Sequence, residues 1–175
     1  MIELVHTSAA GPKALGAAYR LLGEVFEGDF GAEDWEHSLG GMHAFAWEGA
    51  KLVGHGSVVQ RRLVHSGRAL RAGYVEGVGV HPDHRRRGYG GEVMAALESV
   101  IRNAYDLGAL GTTDDGEPFY RSRGWLPWAG PLAALTPDGT KDTPDEQGAV
   151  YVFPGVMPLD LSASLVCDWR DGDVW

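Results

Sequence analysis

The sequence predicts a single domain over residues 1–175, of the α/β (α+β) class, with a mixed but mostly antiparallel central sheet flanked by helices. Three observations carry that prediction. Strand-like runs at 42–47, 51–65 and 69–80 are joined by the short turns Glu48-Gly49 and Ser66-Gly67, which makes a three-stranded antiparallel meander. The last run passes into a basic, glycine-rich turn that begins at His81-Pro82-Asp83 and ends at Gly91. Helical periodicity starts directly afterwards, with Val93, Leu97, Val100, Ile101 and Ala104 on one face.

The remaining elements follow in order. Ile2 to His6 reads as a short strand, and Leu15, Leu22 and Phe26 mark one face of a helix after Gly11-Pro12. A second short helix covers Ala32 to Ser38. Pro82 ends the third meander strand because it brings no N–H to the ladder. Gly108 fits the position that closes the long helix. Ala109 to Thr113 is a short strand, Glu117 to Arg123 a short helix closed by Gly124, and Trp125 to Leu135 an extended stretch broken by prolines. The turn-formers between Thr136 and Gln147 predict a mobile surface loop. Ala149 to Phe153 and Leu161 to Trp169 read as the last strands, before the acidic Asp171-Gly172-Asp173-Val174-Trp175.

Composition narrows the function classes. Acids outnumber bases 24 to 15, for a formal charge of −9, which argues against nucleic-acid binding through phosphate neutralisation. The same charge suits a cationic partner, and it equally serves solubility. The single cysteine, Cys167, forms no intrachain disulfide; it is either a nucleophile or a small buried hydrophobe. No apolar stretch approaches the ~18 residues of a membrane helix, and Met1–Ala10 lacks a signal pattern, so no membrane partner and a cytoplasmic location are expected. His81 and His84 have no third ligand nearby in sequence, so no metal is expected.

Chemistry concentrates at Val78-Gly79-Val80 and the following Arg85, Arg86, Arg87, Gly88, Tyr89 and Gly90. A strand that enters a glycine-rich turn and then a helix presents main-chain N–H groups and a helix dipole to an anion. Two nucleotide motifs are excluded: no Gly-Lys-Ser/Thr completes a P-loop, and Val93 stands where a dinucleotide-binding Gly-x-Gly-x-x-Gly needs its third glycine. What is left, Arg85-x-x-Gly88-x-Gly90, resembles the acetyl-CoA pyrophosphate loop of the GNAT acyl-CoA N-acyltransferases. That resemblance implies a strand that splays from its neighbour, with Val78 to Val80 pairing with the pantetheine arm and Arg85 to Gly90 holding the pyrophosphate. Gly77 and Gly79 suit a bulge there.

Longer stretches narrow the family. Glu27-Gly28-Asp29-Phe30, Asp34-Trp35-Glu36-His37, Leu39 to His43, Gly73 to Val78, Ser122 to Trp128, Cys167 to Arg170 and Gly172 to Trp175 together resemble the aminoglycoside 2'-N-acetyltransferases. The resemblance implies acetyl-CoA as cosubstrate, a cationic aminoglycoside as acceptor, antibiotic resistance as the outcome, and a homodimer. It assigns Asp29, Glu76, the Gly77 backbone, Gly111, Asp145, Glu146, Asp173 and the Trp175 carboxylate to the substrate. Gly111 departs from relatives that carry Ser there, so only its backbone is expected to make contact. Glu76 is the candidate base, direct or through water, and Tyr120 the candidate acid. By itself each also reads blandly, Glu76 as a solvent-facing strand residue and Tyr120 as an ordinary helix residue. Two other functions share these residues: acetylation of another polyamine, a metabolic amine or a protein α-amine, and non-catalytic binding of acyl-CoA or drug.

Overall fold

Residues 1–155 and 157–175 are described by a computed structural model, and they form two compact units, one of residues 1–59 and 75–100, the other of 60–74 and 101–175. The chain passes from one unit to the other inside continuous elements.

In the first unit, strand β1 (Ile2–His6) leads into helix α1 (Thr7–Val25), which kinks at Gly11 before Pro12. The helix therefore begins five residues before the expected Gly11-Pro12 boundary, with the His6 ring accepting from the Ser8 N–H as its cap. Helix α2 (Ala32–His37) opens with Glu33 and Asp34 at its positive end, and the Asp34 carboxylate accepts from the Gly31 N–H at 2.7 Å. Strand β2 (Met42–Glu48) lies antiparallel to β1 and to β3 (Lys51–His65), with a register shift at Ala46/Trp47. Ala18, Leu21, Phe45 and Leu52 form the core, with Val5, Leu15, Val25, Trp35 and Trp47 packed around them. Strand β4 (Arg68–Val80) ends in this unit, a 3-10 turn (Pro82–His84) follows, and helix α3 (Tyr89–Ala104) buries Val93, Met94 and Leu97. Each such side chain contributes ~1.5–3 kcal/mol.

In the second unit, β4 starts after the Ser66-Gly67 turn, both residues at positive φ, as a two-residue hairpin turn requires. Strand β5 (Leu107–Gly111) runs parallel to β4 at only three positions, Ala72, Gly73 and Tyr74 against Leu107, Gly108 and Ala109. Parallel neighbours need a crossover, and α3 supplies it. After helix α4 (Glu117–Ser122), β6 (Leu126–Pro127) pairs with β9 (Val150–Phe153), which pairs with β5. Strand β7 (Leu132–Thr136) pairs with β8 (Gly139–Asp142) and with β10 (Leu165–Cys167), which also lies against the end of β3. Trp125 and Trp128 fill this core, and Trp128 donates to the Ala163 carbonyl at 3.0 Å.

Three expectations are corrected. Gly108 does not close α3: that helix ends at Ala104, the Asp106 carboxylate accepts from the Arg71 N–H at 2.8 Å, and Gly108 is already paired in β5. The expected loop of 136–147 contains strand β8 and a 3-10 turn (Pro144–Glu146); Pro137-Asp138 is a hairpin turn, and β8 is exposed along its whole length. Of Leu161 to Trp169, only Leu165–Cys167 is strand. Among the described residues no helix is long and apolar enough to cross a membrane.

Candidate active site

The first group of site residues lies where β4 ends and α3 begins. Arg86 at φ +59 and Gly88 at φ +90 both adopt the left-handed backbone, a conformation used where successive main-chain N–H groups form an anion-binding concavity. Arg85 to Gly88 are exposed, and the N–H groups of Arg86, Arg87 and Gly88 find no acceptor among the described residues. The space where a Gly88 Cβ would sit is open. These are the properties of an anion cradle, so the residues present fit a pyrophosphate.

The side chains here behave differently from the simplest expectation. Glu48 accepts from Arg87, from the Tyr89 hydroxyl at 3.2 Å, and lies 2.9 Å from His84 Nε2. The Arg87 guanidinium holds the Glu48 carboxyl below the usual range. Arg85 folds back, its Nε donating to the Val80 carbonyl at 3.3 Å. Arg87 and Tyr89 thus brace the turn and leave its main-chain N–H groups open. His81 and His84 face Glu24 and Glu48, and no group of three or more metal-ligating side chains exists among the described residues.

Upstream on β4, Glu76 is half-buried and its carbonyl lies 3.4 Å from the Ser57 hydroxyl. Gly77 has φ +54, where a Cβ would meet Ser38 Oγ at 2.9 Å and Leu22 at 3.0 Å, so only glycine fits. Its carbonyl accepts from Nδ1 of the fully buried His55 at 2.8 Å, and His55 Nε2 lies 3.0 Å from His43 Nδ1. Burial pushes His55 to about 3 and His43 to about 4. Val78 and Val80 are half-buried, Gly79 buried, and Asp29 exposed with its N–H on the Phe26 carbonyl at 2.9 Å.

The second group belongs to the other unit. Residues 167–175 fold back on β5 and the 144–146 turn. Trp175 is 4% exposed, its indole N–H donates to Thr143 Oγ1 at 2.8 Å, and its main-chain oxygen accepts from Arg170 at 2.8 Å. A Cβ on Gly111 would lie 3.8 Å from that Trp175 oxygen and 3.9 Å from the Tyr74 hydroxyl. Burial, and then the nearby charges of Asp173 and Asp145, raise the Glu146 carboxyl above the usual range. The Arg61 and Arg170 guanidinium groups lie 4.7 Å and 5.4 Å from the Tyr74 ring centre. Gly111, Asp145, Glu146, Asp173 and Trp175 therefore gather in one place. Tyr120 is buried against Trp125 and Phe119, and burial pushes its phenol to about 12. Cys167 is buried, donates to the Val174 carbonyl at 3.2 Å, and is pushed to about 11, again by burial.

Sequence reasoning missed the bracing Glu48, the His43–His55 pair, and Tyr74 with Arg170. Only the histidines left a signal: two imidazoles on the inward faces of apolar β2 and β3.

A family model described as Acetyltransferase (GNAT) domain matches residues 7–127. The chain is 49% identical to the Aminoglycoside 2'-N-acetyltransferase of Mycolicibacterium fortuitum, over 99% of this chain and 91% of that protein. Eis1 from Mycobacterium abscessus shares the fold at a TM-score of 0.61 and 19% identity over 76% of this chain, which spans 33% of Eis1. Escherichia coli ElaA shares it at 0.59 and 19% identity, over 87% of this chain and 98% of that one. The ribosomal-protein-S18-alanine N-acetyltransferase of Escherichia coli does so at 0.59 and 16%, over 90% and 96%. By that family model and that near full-length relative, the chain belongs to the GNAT acetyltransferases and, within them, to the aminoglycoside 2'-N-acetyltransferase family.

Proposed function

We propose that this protein transfers an acetyl group from acetyl-CoA to the 2'-amine of aminoglycosides by direct attack. The observation that carries the substrate class is the convergence of Asp145, Glu146 and Asp173 beside Trp175. Burial and then the charges of Asp173 and Asp145 raise the Glu146 carboxyl there, and a polycation would relieve the repulsion.

Acetyl-CoA supplies the acetyl group as a reactive thioester. The N–H groups of residues 86–88 and the start of α3 would hold its pyrophosphate, and the main chain of Val78, Gly79 and Val80 its pantetheine arm. The residues assigned to the drug are, in the first unit, Asp29, Glu76 and the Gly77 backbone and, in the second, the Gly111 backbone, Asp145, Glu146, Asp173 and Trp175. An amine attacks only as its free base, yet carboxylates keep it protonated, so one of them must also take the proton. Glu76 is assigned that task, directly or through one water. Tyr120 keeps its proton at neutral pH because burial disfavours the phenolate, and its Oη would donate to the departing sulfur. A buried thiol pushed to about 11 is not a nucleophile, which favours direct transfer over an acetyl-Cys167 route.

A free-thiol assay tests this reading. Aminoglycosides with a 2'-amine should release thiol and those with a 2'-hydroxyl should not; equal turnover of both overturns the regiochemistry. Activity confined to an unrelated amine would transfer the same machinery to a metabolic acceptor. The reading extends to a single folding domain, a homodimer and a cytoplasmic location, which one cooperative melt, sedimentation and cell fractionation test.

A further inference from the structure

The hydrogen-bond chain behind Gly77 allows one order of protons. The Gly77 carbonyl can only accept, so His55 carries its proton on Nδ1. Neutral His55 then accepts at Nε2, so His43 donates from Nδ1 at 3.0 Å. Neutral His43 accepts at Nε2, so the Thr7 hydroxyl, whose oxygen lies 2.8 Å from that nitrogen and 3.1 Å from the Gly41 carbonyl, gives its one proton to the imidazole at the shorter contact; Thr7 Oγ1 itself accepts from the Gly40 N–H at 2.9 Å. Trp35 packs on both imidazoles, with ring centres 6.2 Å from His43 and 6.0 Å from His55, and Phe45 stacks on His43 at 5.5 Å. Two neutral imidazoles are thereby fixed in position, tautomer and tilt, at the one residue where β4 takes a positive φ.

The consequence lies on the other side of the same peptide. No described peptide is cis, and a trans peptide points its N–H opposite to its C=O. Holding the Gly77 carbonyl toward His55 therefore holds the Val78 N–H away from the core. We propose that His55, oriented by His43 and Thr7, is a positioning residue that aims the Val78 main-chain N–H at the thioester carbonyl of acetyl-CoA. This rests on the assignment of residues 78–80 to acetyl-CoA and is independent of which amine accepts. A preorganised donor works because it needs no reorientation as charge develops on the carbonyl oxygen, and an imidazole locked in one tautomer supplies that rigidity.

The test compares wild type with His55→Leu, which removes the donor, and His55→Asn, whose amide nitrogen can take the place of Nδ1. Infrared spectra of bound [1-13C]acetyl-CoA should show the carbonyl stretch lowered in wild type, returned toward the free value in His55→Leu, and lowered again in His55→Asn. Turnover should fall ~10- to 100-fold in His55→Leu, with KM for acetyl-CoA within ~3-fold, and recover to within ~5-fold of wild type in His55→Asn. In the unliganded wild type, 15N shifts should report the Nδ1–H tautomer of His55. An unchanged carbonyl stretch in His55→Leu, an Nε2–H tautomer, or equal impairment of both variants overturns the proposal. If His55→Leu does not fold, His55→Asn and the wild-type tautomer decide. If wild type acetylates no aminoglycoside while the carbonyl stretch still responds to His55, the acceptor assignment fails and this one stands.

Discussion

The glycine-rich turn and the carboxylate cluster, proposed to receive an anion and a cation, are built from opposite materials. At the turn Arg87 is tied to Glu48 and Arg85 to the Val80 carbonyl, which leaves main-chain N–H groups as the proposed grip on pyrophosphate. The carboxylates, proposed to receive a cation, are side chains brought from 145–146 and 173, with Asp173 accepting from the Trp175 N–H. A main-chain site is damaged by an added Cβ and is indifferent to many charge changes. A side-chain site is damaged by loss of charge or support, and it responds to pH and salt.

The largest expected effect is on the support of the pocket. Trp175→Ala removes a side chain that is 4% exposed and its bond to Thr143. Loss of stability should be ~3–5 kcal/mol, or ~6–15 °C in Tm for a domain of this size. Because Asp173 accepts from the Trp175 N–H at 3.1 Å, the carboxylates should scatter as well, lowering kcat/KM for the drug ~100-fold. Calorimetry and steady-state kinetics check both; a drug KM that does not move would separate the pocket from this segment.

Gly88→Val probes the other region at smaller cost. Nothing lies within 4 Å of the added Cβ, so the penalty is the left-handed backbone itself, ~1–2 kcal/mol. Crowding of the cradle should raise KM for acetyl-CoA ~10-fold while KM for the aminoglycoside stays within ~2-fold. Equal changes in both would erase the distinction between the two regions.

The two regions also differed in legibility. The turn could be read from sequence because its chemistry is local: a strand, Arg85, Gly88, Gly90 and a helix stand within a dozen residues, and glycine spacing is itself the signal. The carboxylates were assigned only through resemblance, since Asp145 and Asp173 carry no local pattern and come near each other through the folding back of residues 167–175. Strand β8 was hidden because all four of its residues are exposed, which leaves no alternation to detect. The His43–His55 pair was hidden because its partners sit 12 residues apart on different strands. Gly108 misled because a glycine after a helix is as good a cap as it is a strand residue packed closely on Trp125.

The smallest expected effect reads the pocket by pH. Burial first, then Asp173 and Asp145, raises the Glu146 carboxyl above its ordinary value. By linkage, the folded state binds this proton more tightly than the unfolded chain, so its contribution to stability is present below the ordinary glutamate range and is lost as pH rises through the raised value. A bound polycation reverses the preference, because it interacts with the ionised carboxylate. Aminoglycoside affinity should therefore fall as pH is lowered through the raised value, and binding there should release protons, visible as a buffer-dependent enthalpy. Glu146→Gln should flatten that pH dependence and weaken binding ~5- to 10-fold at neutral pH, with the loss shrinking as salt is added. KM for acetyl-CoA should not follow, since the main-chain grip contains no group that titrates in this range. A pH response shared by both substrates would mean that the charge on Glu146 acts on the whole enzyme and not on the drug alone.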